Sequence, residues 1–188
     1  MSIMKIFTFP EPVLREKALP VTEFDAELKR LIKDMFETMY DAPGVGLAAN
    51  QVGVLKQLFV LDVEYRVEGD EESNRKLQNQ SPLVFINPEI VETSKKIPFK
   101  EGCLSVPGFS EEVERFEKLS LKYQDESGKH LEIKAEGLLA VAIQHEMDHL
   151  AGRLFIDRLS PAKRQLIKGK IKKDHGRSFE RSKFHVEL

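Results

Sequence analysis

One cysteine, Cys103, and no tryptophan occur in the 188 residues of this chain. A single cysteine excludes an internal disulfide framework and fits a reducing compartment. No stretch approaches the roughly eighteen consecutive apolar residues that a membrane span requires, so no membrane partner is expected. Residues Met1 to Pro10 include Lys5 but no apolar run long enough for a secretory signal, and no Arg-rich, Ser-rich presequence is evident. A cytoplasmic location is therefore expected. Net charge is only -2, but it is unevenly divided: residues 158–188 hold 10 Lys and Arg against 3 Asp and Glu, net +7, which leaves -9 for the rest. There is no internal repeat and no low-complexity tract. The length suits one well-buried domain and is short for two, so 1–188 is expected to be a single catalytic domain with 161–188 as a basic C-terminal helix and tail.

What is present centres on Gln144 to Leu150, Gln-His-Glu-Met-Asp-His-Leu. His145 and His149 are four residues apart, so on a helix both imidazoles project from one face, close enough to share a metal ion. In the H-E-x-x-H pattern the two histidines hold a divalent metal, and the intervening Glu146 handles the protons of the water it activates. The alternative is a set of ordinary, partly buried polar residues. Burying three such groups beside aliphatics costs free energy unless each finds a partner, and a metal satisfies all three together. The helix itself is expected from Gly137 to Gly152, which holds no proline and stops at a glycine. Leu138, Val141 and Ala142 fall on the same side as the histidines, an apolar wall suited to a greasy side chain.

Elsewhere the pattern predicts an amphipathic helix through Leu28, Leu31, Ile32, Met35, Phe36, Met39 and Tyr40, capped by Asp25. Strands are expected at Gln57–Val63, at Leu83–Val91 with an interruption at Pro88, at Lys95–Phe99, in parts of Glu111–Tyr123, and at Lys129–Ala135. Asp125–Gly128 reads as a hairpin turn. Glu64 to Pro82 is polar and reads as a long exposed loop or loose hairpin with no assigned role. Gly44 to Gly53, Gly-Val-Gly-Leu-Ala-Ala-Asn-Gln-Val-Gly, fits a permitted form of the dinucleotide fingerprint, but it follows a helix where that fingerprint must follow a strand. Its small residues instead let the backbone pass close to something and deliver Gln51 at a fixed place. The fold class is α+β, with antiparallel strands packed around a central metal-binding helix and a last helix from Pro161 to His175.

A catalytic metal takes three protein ligands and leaves a position for water. The metalloprotease extension fails because Phe155 stands where a histidine is needed, and the only glutamates after His149 are Glu180 and Glu187. Cys103, beside a glycine in Glu101 to Ser105, Glu-Gly-Cys-Leu-Ser, remains. As a lone cysteine it could equally be a small buried apolar residue.

Gly44 to Gln51, Glu101 to Ser105 and Gln144 to Leu150, in this order and spacing, closely resemble the three signature motifs of the peptide deformylase family, and the likeness runs through nearly the whole chain. The resemblance implies Cys103, His145 and His149 as metal ligands and Glu146 as general acid and base. It implies an oxyanion hole from Gln51 and the Leu104 N–H, and a methionine pocket lined by Val45, Gly46, Leu138, Val141 and Ala142. Arg115 looks like the family's buried arginine, pairing with Glu101 or Asp148 behind the site. The segment from Val106 to Glu114, where substrate backbone passes, varies in the family. The implied activity is hydrolysis of the formyl group from N-formylmethionyl nascent peptides with release of formate, by a monomer holding one Fe2+, for which Zn2+, Ni2+ or Co2+ substitutes. For the basic end, the resemblance implies docking on the ribosome near the nascent-chain exit; a solvated charged helix is the alternative.

Overall fold

The computed structural model describes residues 2–42, 44–68 and 76–174. Helix α1 (Ala26–Asp41) starts where Asp25 accepts a 2.9 Å hydrogen bond from the Leu28 N–H, the capping expected from sequence. It buries Leu28, Ile32, Met35 and Met39, the face that three-and-four spacing sets.

A five-stranded antiparallel sheet forms the body, in the order β1 (Gly46–Ala48), β2 (Leu58–Leu61), β5 (Leu83–Thr93), β8 (Lys118–Gln124), β9 (His130–Glu136). All four residues of β2 are buried, because the sheet is covered on both faces. Leu58 and Val60 point into a core with α1, whereas Phe59 and Leu61 point into a second core with Ala140, Ala142 and Ile143 of helix α2 (Gly137–Leu150). Each such fully buried aliphatic or aromatic side chain stabilises the fold by about 1.5–3 kcal/mol. A third core joins Leu14, Val106, Val113 and Leu154 to Ile156 with Ile167 and Ile171 of helix α3 (Pro161–Asp174). The expected end of α3 at His175 lies outside the described residues.

Two further pairs of strands stand apart from the sheet. Arg66–Glu68 (β3) and Lys76–Gln78 (β4) make the exposed hairpin anticipated within 64–82. Lys96–Gly102 (β6) and Ser110–Phe116 (β7) make a two-stranded ribbon. The sequence-based strand at 95–99 is therefore too short, because pairing with β7 carries it through Gly102. The stretch 111–123 is two strands in different sheets, parted at Glu117. Pro88 does not break β5; the register shifts there instead, and Asn87 takes φ +50° while its side chain bonds to the backbone of Val21 and to Gln124. Gly46–Ala48, whose small residues predict a close backbone approach but no particular element, is an edge strand whose register puts Gly46 opposite Leu61.

Helix α2 lies against β1, β2 and β9 and reaches β7 of the ribbon. It stops where Gly152 adopts φ +70°. A Cβ at that position would also sit 2.4 Å from the Arg15 carbonyl oxygen, so conformation and space both require glycine.

Candidate metal centre

Two elements deliver the candidate ligands. Helix α2 carries His145 and His149 one turn apart, with ring centroids 5.1 Å from one another. The turn that follows β6 brings in Cys103. Donor atoms of Cys103, His145 and His149 all lie within 4.8 Å of each other, and the Cys103 sulfur is 3.2 Å from Nε2 of His149. The Nδ1 N–H of His145 donates to Oε2 of Glu101 at 2.8 Å, which fixes the tautomer and leaves Nε2 as the free nitrogen.

The chemistry of this donor set fits a divalent cation. A thiolate with two imidazoles is a common set for such ions. Glu146 Oε2 is buried with no hydrogen-bond partner among the described residues, an arrangement that is costly for a site made only of protein. Burial works against a charged His145, yet the Cys103 sulfur and the Glu101 carboxylate raise its pKa well above the ordinary histidine value. That anionic surround favours a positive charge where a cation would replace the proton. His149, buried and facing His145, is pushed well below the ordinary value, so its imidazole is neutral and able to ligate.

Burial raises the Glu146 carboxyl to about 7. Its Oε1 faces the edge strand so closely that a Cβ on Gly46 would lie 2.4 Å away, so any side chain there would push the Glu146 carboxylate from its place. Gln51 is buried in the short 3-10 turn after β1. Its Oε1 accepts from the Ala48 N–H at 2.8 Å, and this orients its Nε2 to donate to Ser105 Oγ at 3.1 Å, with the Cys103 sulfur 3.8 Å off. The structure thus brings Gln51, Cys103, His145, Glu146 and His149 into one region. Leu104 sits between Cys103 and Ser105, with its side chain against Gly44. Of the expected pocket, Val141 and Ala142 are buried, while Leu138 and Val45 are partly exposed.

Behind the ligands, the buried Arg115 guanidinium meets both carboxylates proposed for it. Its Nε and Nη2 donate to the two oxygens of Glu101 at 2.5 and 2.9 Å, and its Nη1 donates to Asp148 at 2.7 Å. Burial alone would raise both carboxyls, but hydrogen bonds and charge from Arg115, with His145 for Glu101 and Arg158 for Asp148, hold them below the usual carboxylate range.

Three residues given no role by the sequence reading complete this arrangement. Ser105 donates its N–H toward the Cys103 sulfur at 3.4 Å and accepts from Gln51. Gln144 accepts from the Phe116 N–H and donates to the Phe116 carbonyl, both at 2.9 Å, clamping β7 to α2. Phe155 stacks on the His145 ring with centroids 6.3 Å apart. Ser105 and Gln144 lie inside the quoted motifs, the one signal that could have marked them. Phe155 enters the sequence reading as the residue that stands where a metalloprotease would need histidine and as the far end of the family resemblance.

Comparison with known proteins agrees along almost the whole chain. A family model described as polypeptide deformylase matches residues 3–165. The chain is 50% identical over 176 residues to the peptide deformylase of Cellvibrio japonicus, covering 93% of this chain and 97% of that protein. Among solved structures, a peptide deformylase from Legionella pneumophila aligns with TM-score 0.81 at 46% identity, over 95% of this chain and 100% of that one. The Ehrlichia chaffeensis peptide deformylase in complex with actinonin aligns with TM-score 0.83 at 41% identity, again over 95% and 100%.

Proposed function

The chain belongs to the polypeptide deformylase family, and from that premise we propose how its own residues divide the work. It is a metal-dependent hydrolase that removes the formyl group from the N-terminal formylmethionine of newly synthesised proteins and releases formate. Cys103, His145 and His149 hold the cation; the observation that carries this assignment is their convergence within 4.8 Å. When bound, the cation supplies Lewis acidity, acidifying water and polarising the formyl carbonyl. Ferrous iron is the native ion in this reading.

Glu146 accepts the proton of the attacking water and returns it to the methionine amine as the C–N bond breaks. A carboxyl raised to about 7 suits both halves of that exchange near neutral pH. The Gln51 amide N–H and the Leu104 backbone N–H donate to the formyl oxygen as negative charge develops on it. Each such donor is worth about 3–4 kcal/mol in comparable sites. Fixing of the Gln51 amide by Ala48 and Ser105 supports this role, since a donor already oriented needs no rearrangement as charge develops. Val45, Gly46, Leu138, Val141 and Ala142 take the methionine side chain, and Glu101, Arg115 and Asp148 brace the ligands from behind.

Residues 1–188 act as one catalytic unit, a cytoplasmic monomer. No helix among the described residues is long and apolar enough to cross a membrane. On α3, Lys163 is paired with Glu111 at 2.8 Å, while Lys170, Lys172 and Lys173 offer charge to ribosomal RNA phosphates. The deciding experiment is formate release from a formylmethionyl tripeptide by protein reconstituted with ferrous iron without oxygen. The wild type should release formate, and Glu146→Ala should lose at least about a hundredfold in rate while keeping its metal. Equal rates in the two would remove Glu146 from the proton transfers.

A further inference from the structure

The brace behind the metal centre does not end at Asp148. Arg158 closes the short 3-10 turn Phe155–Arg158 that follows α2, and it grips Asp148 with a two-pronged contact, Nε to Oδ2 at 2.5 Å and Nη2 to Oδ1 at 2.6 Å. From there a single chain of hydrogen-bonded charges runs inward through Arg115 and Glu101 to Nδ1 of His145. Both Asp148 oxygens are engaged by Arg158, and Oδ2 is shared with Arg115, so the outer arginine fixes the plane of the carboxylate that the inner one meets. Arg158 is the exposed end of this chain, with 37% of its side chain open to solvent.

Two neighbouring features keep Arg158 on this task. Asp157, which lines the same cavity as Arg158, is already held by Arg15 and by the Leu154 N–H. Arg15, Asp157 and Arg158 line an open cavity of about 590 Å³ together with Arg153, Lys96 and Glu114, so beside Asp157 the cavity offers Arg158 one other carboxylate, while Asp148 is the one it grips through both oxygens. The turn that carries Arg158 also carries Phe155, whose ring stacks on His145. One four-residue turn therefore touches His145 twice, directly through a ring and indirectly through three charged side chains.

We propose that Arg158 is a positioning residue of the metal centre, acting through Asp148, Arg115 and Glu101 to hold His145 in its ligating orientation. The inference rests on the deformylase reading of Cys103, His145 and His149, and it concerns retention of the metal rather than contact with substrate. Loss of a group bonded directly to a ligand typically weakens a metal site about 10- to 100-fold, and Arg158, three side chains farther out, is expected at the low end of that range. Lysine would restore the charge but not the planar fork.

The test is the rate at which the full chain, loaded with cobalt(II), loses the ion to an excess of a strong chelator. The cobalt absorption spectrum and the KM for a formylmethionyl tripeptide are followed alongside. Arg158→Met should release cobalt about tenfold faster with a shifted spectrum and an unchanged KM, and Arg158→Lys should fall between it and the wild type. A lowered melting temperature with wild-type release and spectrum would make Arg158 a structural residue only and overturn the proposal. If Arg158→Met does not fold, Arg158→Lys decides alone: release at the wild-type rate overturns the proposal, faster release supports it. A wild type that binds no cobalt would instead defeat the metal centre itself, and this inference with it.

Discussion

The metal centre is assembled from two halves held by different forces. Helix α2, which supplies His145, Glu146 and His149, also buries Ala140, Val141, Ala142, Ile143 and Leu150 and lies against the five-stranded sheet. The ribbon β6–β7, which supplies Glu101 and Arg115 and leads into Cys103, buries one aliphatic residue, Val113, and otherwise those two charged side chains. Apolar packing places the helix. The seam to the ribbon rests on directional polar contacts: Arg115 on Glu101 and Asp148, His145 on Glu101, and Gln144 on the Phe116 backbone. Non-directional packing tolerates small volume changes, whereas a charged seam fails when one partner is removed.

Arg115→Met should break the comparison most severely. It leaves Glu101 and Asp148 buried without their shared cation, at a cost of about 3–5 kcal/mol in chemical denaturation. The pH dependence has a definite sign. Both carboxyls are held below the ordinary range in the wild type, so the stability they contribute is full above that range and is lost as pH falls from it through their lowered folded values. In Arg115→Met, Asp148 keeps Arg158 while Glu101 keeps only His145 against its burial, so protonation relieves chiefly Glu101. The gap between wild type and variant should therefore be widest near pH 7 and narrow toward pH 4. A gap that does not change with pH would mean the seam is held by packing after all.

On the helix side, Ile143→Ala should cost about 2–4 kcal/mol, with no such pH dependence, since the lost contacts with the sheet core are apolar. The formate-release rate of the folded, metal-loaded variant should stay near the wild-type value. Gln144→Leu is the smallest of the three, about 1–3 kcal/mol, because it leaves the Phe116 N–H and carbonyl without their clamp but leaves no buried charge unpaired. Hydrogen exchange would localise its effect: the Phe116 amide should lose protection while the amides of α2 keep theirs. Equal loss in both elements would show that the two halves open as one.

The features that the sequence by itself determined are those set by short-range geometry. The i, i+4 placement of His145 and His149, the Asp25 cap, the buried stripe of α1 and the stop at Gly152 each follow from a few adjacent residues, because helical period and backbone sterics act locally. The order of motifs, through resemblance, carried the family. Tertiary structure alone decided the rest. Cys103 lies over forty residues from the histidines, and only the pairing of β6 with β7 and their clamp to α2 bring it within reach. The split of 110–124 between two sheets at Glu117, the strand identity of Gly46–Ala48 against Leu61, and the grip of Arg158 on Asp148 likewise depend on partners distant in sequence or on the path of a turn. Such contacts leave no local period, since what selects them is which buried charge or strand edge still needs a partner once the cores have formed.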